Sequence, residues 1–527
     1  MANPLIDRLR QPEIHADPVE RVELIETHIS WVLLAGPLAY KIKKPLNLGF
    51  LDFSSLDQRQ FFCQEEVRLN RRTAPALYLD AIPITGTAQR PILGGNGEPI
   101  EYAVRMRRFD GRLGFDRMLE RGDLNRDHVL DLARALAELH SAADIAEPDG
   151  DYGHFEQVAG PMRDNFDALA ASGDEAFEDR IETLRDWTES QLSAHRQRIE
   201  ARLDNGLVRE CHGDAHLGNV TLFDGRATLF DCIEFSPELR WIDTACDLAF
   251  TLMDLHHRHA PGLAWTLLDE YLARTGDVDG LPLLPLYTVY RAMVRAKVQR
   301  LARDQAEESA RRASLGREIQ AYLDLARGIS STQLPGIVIT MGLSGSGKSW
   351  LAERLVPRVG LVRLRSDVER KRLHGLRAEQ RSESGLGRDL YSAESTARTY
   401  ERLSIGAQAS VAAGWTVLLD ATFLDRSLRA RFRTLASNLG VPFVILHCQA
   451  PETTLTERLH ARARSGKDPS EAGSEVLAQQ QRFADPLEPC EQEFVIDVDT
   501  RTPDAVQSSA RRLEGMLAAG RSPERQD

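Results

Sequence analysis

The chain is poor in cysteine: 527 residues hold six, Cys63, Cys211, Cys232, Cys246, Cys448 and Cys490, and none forms a C-x-x-C pair. That excludes a disulfide scaffold, a zinc ribbon and a thioredoxin-like motif, and it leads to the expectation of reduced thiols in a cytoplasmic protein. No run of about 18 apolar residues occurs, so neither a membrane helix nor a membrane partner is expected. The opening stretch MANPLIDRLRQPEIHADPVE has no apolar segment behind a basic start, so no secretory signal is expected. Repeats of fixed period and long low-complexity tracts are absent as well. Positive charge is in deficit: 66 Lys and Arg stand against 79 Asp and Glu, a net charge of -13. A dedicated nucleic-acid binder is usually basic, so bulk-charge binding to a phosphate backbone is not expected. What remains on the nucleic-acid side is a 5′ end offered to a local basic cleft. The acidic balance suits a cationic small substrate, and it leaves the oligomeric state open.

The residues present have ordinary globular proportions, 42% hydrophobic and 28% charged. A single core rarely grows past about 250–300 residues, so at least two domains are expected. The strongest break in pattern lies at 330–335. Before it runs a charged, helix-like stretch, Arg303 to Gly328. After it, the polar linker Ser330-Ser-Thr-Gln-Leu-Pro335 leads into an apolar strand, Gly336-Ile-Val-Ile-Thr-Met341. The expected domains are 1–330 and 336–527. In the first, residues 29–44 predict two strands joined at Gly36-Pro37, residues 56–72 a helix, residues 101–109 another strand, and 127–200 mostly helix. A small strand-rich lobe followed by a helix-rich lobe is the expected outline.

Two clusters of residues carry chemistry. Cys211-His-Gly-Asp-Ala-His-Leu-Gly-Asn219 contains H-x-D-x-x-x-x-N, and Asp231 follows twelve residues beyond Asn219 on a strand-like run. This is the spacing of a kinase-type catalytic loop followed by a metal-binding aspartate. One carboxylate, Asp214, would take the proton of an acceptor hydroxyl. The Asn219 amide oxygen and Asp231 would hold Mg²⁺ on the ATP phosphates, since Mg²⁺ takes hard oxygen ligands. Ala39-Tyr-Lys41 supplies a strand lysine for the phosphates, and Glu66 on the following helix supplies its ion-pair partner. Lys43 faces the same way as Lys41, and Glu65 neighbours Glu66, so each has a rival. A zinc pair from His212 and His216 does not fit the Gly213-containing loop.

The stretch His212 to Asn219, then Asp231, then Trp241-Ile-Asp-Thr-Ala-Cys-Asp247-Leu-Ala resembles the aminoglycoside phosphotransferase family, a branch of the protein-kinase-like fold. The resemblance covers roughly residues 20–325 and implies an α+β bilobal domain. It implies Asp214 as catalytic base, Asn219 and Asp231 as magnesium ligands, and Asp247 as a brace of the loop. Two departures stand out: Asp231-Cys-Ile, with Glu234 nearby, replaces the D-F-G-like tripeptide, and no G-x-G-x-x-G loop precedes Lys41.

The second cluster is Gly342-Leu-Ser344-Gly345-Ser346-Gly347-Lys348-Ser349, a G-x-x-x-x-G-K-S motif between a strand and a helix. Backbone N–H groups of such a loop, and the helix N-terminus behind it, cradle phosphates. Lys348 would reach the β- and γ-phosphates and Ser349 would bind Mg²⁺. Asp367 closes a candidate second strand, Leu361–Asp367, and also suits a helix N-cap. Asp420 closes another strand, Thr416–Asp420. A late arginine-rich helix carries Arg458, Arg462 and Arg464. This order resembles the small P-loop kinases, such as gluconate kinase, the zeta-toxin kinases and the polynucleotide kinase lobe, over about residues 336–500. It implies an α/β P-loop domain with a parallel sheet, Asp367 as base, Asp420 as the second metal carboxylate, and Arg462 or Arg464 over the phosphates. The joint expectation is a bifunctional Mg·ATP-dependent phosphotransferase acting on a hydroxyl of a small molecule, such as a sugar, an aminoglycoside-like compound or a related metabolite. The alternative is a ligand-sensing, regulatory first domain with turnover, as kinase or ATPase, only in the second.

Overall fold

The computed structural model describes residues 3–15, 18–49, 51–171, 177–331, 335–378, 380, 392–465 and 474–519. It divides into two compact units, one of Met1–Asp164 with Leu192–Asp254, the other of Asn165–Gln191 with Leu255–Asp527.

The first unit opens with a six-stranded antiparallel sheet. Its strands are β1 (Val22–Glu26), β2 (Ser30–Ala35), β3 (Leu38–Lys43), β4 (Tyr78–Thr87), β5 (Arg90–Leu93) and β6 (Pro99–Arg107), in the order β1-β2-β3-β6-β4-β5. Gly36, at φ +57°, makes the turn that pairs Ala35 with Leu38. Alternation along β3 then separates two faces. Tyr40 and Ile42 join a core with Ile6, Leu9 and Leu33, under the N-terminal helix Pro4–Leu9. Ala39 turns the other way, into a core with Cys63, Val67, Tyr78 and Met106 that is edged by Phe109, Phe223 and Phe230. Lys41 and Lys43 share that second face. It is covered by the helix Leu56–Asn70, which starts at a Ser55–Gln58 capping box.

Further along, β7 (Val208–Glu210) pairs with β10 (Trp241–Asp243), and β8 (Val220–Phe223) pairs with β9 (Arg226–Leu229). The loop 211–219 and the segment 230–236 are thereby pinned between two short ladders. Arg202 and Asp243 lock the base with a buried bidentate pair at 2.6 and 2.7 Å.

The second unit holds a parallel sheet of β11 (Ile337–Met341), β12 (Val362–Arg365), β13 (Val417–Asp420), β14 (Phe443–Gln449) and β15 (Val495–Asp499), ordered β12-β13-β11-β14-β15. β11 and β13 are buried along their whole length, as strands covered on both faces must be. The chain leaves β11 toward β12 on one side while β14 lies on the other, so a crevice opens at the carboxyl end of β11. The helices Pro261–Thr275, Leu284–Gln305 and Ser309–Ser330 belong to this unit. The charged stretch 303–328 is helical as its pattern predicts, but it is interrupted at 306–308 between two of these helices.

The strand expected at Leu361–Asp367 is shorter. β12 ends at Arg365, opposite Asp420, and Asp367 falls in the first turn of the helix Ser366–Leu373, with Arg365 at its N-cap. Pairing stops where β13 stops, and a carboxylate in a first turn is favoured by the helix dipole.

One buried ion pair sets the exit of β13. Arg429, fully buried, meets Glu491 at 2.8 and 3.0 Å and donates to the carbonyls of Phe423, Leu424 and Pro486. Replacing Glu491 with Ala strands that guanidinium and is expected to lower unfolding stability by about 3–5 kcal/mol in urea titrations. Burial alone would raise the Glu491 carboxyl, but the Arg429 bonds outweigh it and hold it below the ordinary range. The pair's contribution is therefore complete above the ordinary glutamate range, and it is lost as pH falls through the depressed folded value.

Candidate active sites

In the first unit, Lys41 Nζ lies 2.8 Å from Glu66 Oε1 and 2.5 Å from Asp231 Oδ1. Lys43 does not displace it. Lys43 Nζ takes the other Glu66 oxygen at 2.7 Å and also meets Glu234. Both rivals thus bind Glu66, and exposure separates them: the Lys41 side chain is 12% exposed, the Lys43 side chain 0%. Glu65 is turned away, onto Arg68 and Arg240. Burial opposes charge on both lysines, but the carboxylates around them more than offset it and raise both above the ordinary range. Burial likewise opposes the Glu66 charge, yet the two ammonium groups hold Glu66 down at about 2. Glu234 is pushed up, chiefly by burial.

The loop 211–219 is shaped by buried polar groups. A carbonyl can only accept, so His212 Nε2 donates to Phe230 O at 3.0 Å and its Nδ1 accepts the Asp214 N–H at 3.3 Å. Burial pushes the His212 ring down, which keeps it neutral for this task. The ring ties the backbone of Asp214 to that of the residue before Asp231. Asp247 accepts the N–H groups of His212 and Gly213 at 3.0 and 2.9 Å, in keeping with a bracing role. Thr251 Oγ1 donates to Ala215 O, and Asp254 accepts from Leu217 N. Positions 247, 251 and 254 lie on one face of the helix Thr244–His257, a spacing that could have revealed the last two from sequence.

The loop brings Asp214 and Asn219 together. Asn219 Nδ2 donates to Asp214 Oδ2 at 2.9 Å and to Asp214 O at 3.0 Å. Phe230 N donates to Asn219 O, so the β8–β9 hairpin delivers Asp231 beside Asn219. Asp231 sits at φ +62° with its N–H on Tyr78 Oη. The Asn219 amide oxygen and the Asp231 carboxylate are hard oxygens of the kind Mg²⁺ takes. The buried group His140, Cys211 and Asp247 is close enough to suggest a second metal. His140 already bonds Asp247 at 3.0 Å, and burial pushes the Cys211 thiol well up.

In the second unit, Gly342 has φ +146°, and a Cβ there would stand 2.4 Å from Cys448 O, so only glycine fits. The loop closes on itself. Lys348 Nζ donates to Leu343 O at 2.8 Å, Ser344 N donates to Gln480 Oε1, and Thr500 Oγ1 donates to Ser346 O. Arg458 clamps the same loop through Gly345 O and Thr500. Burial pulls Lys348 below its ordinary range. Ser349 Oγ donates to Asp420 Oδ1 at 3.0 Å, while the buried Asp420 Oδ2 has no hydrogen-bond partner. Arg365 at 3.6 Å and Arg363 at 4.0 Å stand near that oxygen but beyond hydrogen-bond distance, and a divalent cation beside the P-loop serine would complete it.

A cavity of about 270 Å³ opens between Gly345, Gly347, Lys348 and Ser349 on one side and Asp367, Arg370, Tyr400 and Arg462 on the other. Asp367 makes no hydrogen bond or ion pair among the described residues and faces the cavity unpaired. Of the two late arginines, Arg462 lines the cavity and Arg464 is exposed outside it. Two helical residues that far apart point to nearly opposite sides, so only one of them can line the cavity. Arg458 lies one turn before Arg462 and Arg370 one turn after Asp367. Both spacings were present in the sequence, but Tyr400 and Gln480 had no local signal.

Residues 63–284 match the phosphotransferase enzyme family, and residues 337–487 match an AAA domain. An uncharacterised protein of Mycobacterium tuberculosis strain H37Rv is 30% identical over 462 residues, 87% of this chain and 90% of that protein. The chain belongs to the same family. It is a kinase that joins a phosphotransferase-family segment to an ATP-binding P-loop segment. A choline/ethanolamine kinase family protein from Mesorhizobium loti is similar to 62% of the chain over 99% of its own length, at 15% identity and TM-score 0.37. A gluconokinase from Sinorhizobium meliloti is similar to 36% of this kinase over 99% of its own length, at 23% identity and TM-score 0.26. No helix among the described residues of the kinase is long and apolar enough to cross a membrane.

Proposed function

We propose that the chain is a bifunctional cytoplasmic kinase whose two sites, in segments 1–330 and 336–527, each pass the γ-phosphoryl group of Mg·ATP to a hydroxyl of a small molecule. The observation that carries this reading is Lys41 held between Glu66 and Asp231, because phosphoryl transfer needs the strand lysine, its helix glutamate and the metal aspartate in register together. At the first site Lys41 would contact the nucleotide phosphates, Asn219 and Asp231 would hold Mg²⁺, and the Asp214 carboxylate would accept the hydroxyl proton as the oxygen attacks. Mg²⁺ would supply charge neutralisation on the phosphates at both sites. At the second, Lys348 and the N–H groups of Gly342–Ser349 would hold the phosphates, and Ser349 with Asp420 would hold the metal. Asp367 would take the proton, and Arg462 would meet the charge that spreads over the transferring group. The unpaired Asp367 facing the P-loop across the cavity supports this assignment.

The test is a transfer assay with γ-labelled ATP and a panel of sugars, aminoglycosides and other hydroxyl metabolites, run on wild type, Asp214→Ala and Lys348→Ala. Each variant is expected to lose a different labelled product and keep the other. If Asp214→Ala keeps every product, the first lobe is not catalytic. Label found only as free phosphate would make the chain an ATPase.

A further inference from the structure

Arg363 and Arg365 project from the same face of β12, beside Asp420 at the end of β13. Arg365 Nε is 3.6 Å from Asp420 Oδ2, and Arg363 Nη1 is 4.0 Å from it. Arg363 is nearly buried and always charged, so left to itself it would close on that orphaned carboxylate oxygen. It stops at 4.0 Å, short of a hydrogen bond, while Asp269 holds it by two shorter contacts. Arg363 Nε meets Asp269 Oδ1 at 3.0 Å and Nη2 meets Oδ2 at 2.7 Å. Burial opposes the Arg363 charge, and the carboxylates that more than offset it are, in order, Asp269, Asp420 and Glu353.

Asp269 does not come from the segment matched to the AAA domain. It lies on the helix Pro261–Thr275, inside the segment matched to the phosphotransferase family. That helix is fitted to the P-loop fold at several points. Trp265 packs on the core under the P-loop helix and stands edge-on to Trp415 at 5.3 Å. The carbonyls at the helix end, Leu272 O and Ala273 O, receive Arg372 Nη2 at 3.2 and 2.7 Å, and Gly276 O receives Arg402. Arg372 sits on the helix that carries Asp367.

We propose that Asp269 is a positioning residue of the P-loop site: it holds Arg363 away from Asp420 and so keeps that carboxylate free for the divalent ion. The inference rests on Asp420 as a metal carboxylate. It makes the P-loop site incomplete without a residue from the phosphotransferase-family segment. A buried Asp–Arg pair can also be plain packing, and the two roles separate by charge. Removing Asp269 alone lets Arg363 neutralise Asp420. Removing Asp269 and Arg363 together takes away the competitor.

The experiment uses the full chain and measures labelled-ATP binding against MgCl₂ concentration by equilibrium dialysis, counting the portion that Lys348→Ala abolishes. Asp269→Asn is expected to raise the half-saturating Mg²⁺ about 10–100-fold, the range for partners that orient metal ligands, with ATP binding in EDTA unchanged. Asp269→Glu and the double variant Asp269→Asn/Arg363→Met are expected to return to within about threefold of wild type. No rise in Asp269→Asn, or a double variant as impaired as the single one, overturns the proposal. Should Asp269→Asn not fold, Arg363→Met decides: it is expected to need no more Mg²⁺ than wild type, and a higher need overturns the proposal. Asp420→Asn tests the underlying assignment separately. If it leaves the Mg²⁺ requirement unchanged, the metal assignment of Asp420 fails on its own account.

Discussion

Replacing Arg462 with Ala is expected to slow phosphoryl transfer at the P-loop site by a factor on the order of 10³ or more, while Arg464→Ala leaves it within about twofold. The contrast follows from placement. Arg462 lines the cavity with Lys348 and Asp367, while Arg464 is exposed outside it. A guanidinium aimed at the transferring phosphoryl stabilises charge that is spread over its oxygens only in the transition state. Its loss should therefore fall on kcat and spare ATP affinity. The ATP turnover that Lys348→Ala abolishes is the signal to follow, by stopped-flow or quenched-flow with labelled ATP. Equal losses in the two variants, or a loss confined to ATP binding, would show that Arg462 does not act on the transition state. Arg458 is a poor substitute, because its guanidinium is already committed to Gly345 O and Thr500.

Asp214→Asn should cost the first site about 10²–10⁴-fold in kcat, the usual yield of a positioned general base, with ATP affinity close to wild type. Asn is nearly isosteric with Asp and can still accept the Asn219 amide through its own oxygen, so the loop braced by Asp247, Thr251 and Asp254 has no reason to move. What is lost is the ability to take a proton. The readout is single-turnover transfer to the acceptor that the Asp214→Ala screen assigns to this site, together with ATP titration. A variant with unchanged kcat would remove Asp214 from the chemistry. One that loses ATP binding as well would assign it to metal or nucleotide binding instead.

Much of each site was legible in the order of residues. The P-loop needs its glycines, lysine and serine at set spacings because one continuous turn must wrap a phosphate. The strand before it and the helix after it were visible as local patterns. The loop from His212 to Asn219 was legible for the same reason, as was the Gly36-Pro37 hairpin that sets Lys41 on its face. Choices between near neighbours were not. Lys41 and Lys43 share a face, and packing alone sets Lys41 against Asp231 and buries Lys43 against Glu234. Arg462 and Arg464 look alike in a string of letters, and the orientation of one helix decides between them. Asp367 was visible as a carboxylate after the second strand, but its place in a helix turn rather than at a strand end depended on where β13 stops.

The sequence by itself determined the motifs, their order and the two fold classes, because those depend on periodicity and spacing within short stretches. Only the tertiary structure decided that the helix Pro261–Thr275 lies against β12 and delivers Asp269 to Arg363, 94 residues away along the chain. Such a contact leaves no local trace, since a buried aspartate on an amphipathic helix and an arginine on a strand acquire meaning only when packing removes the water between them and their charges must be matched.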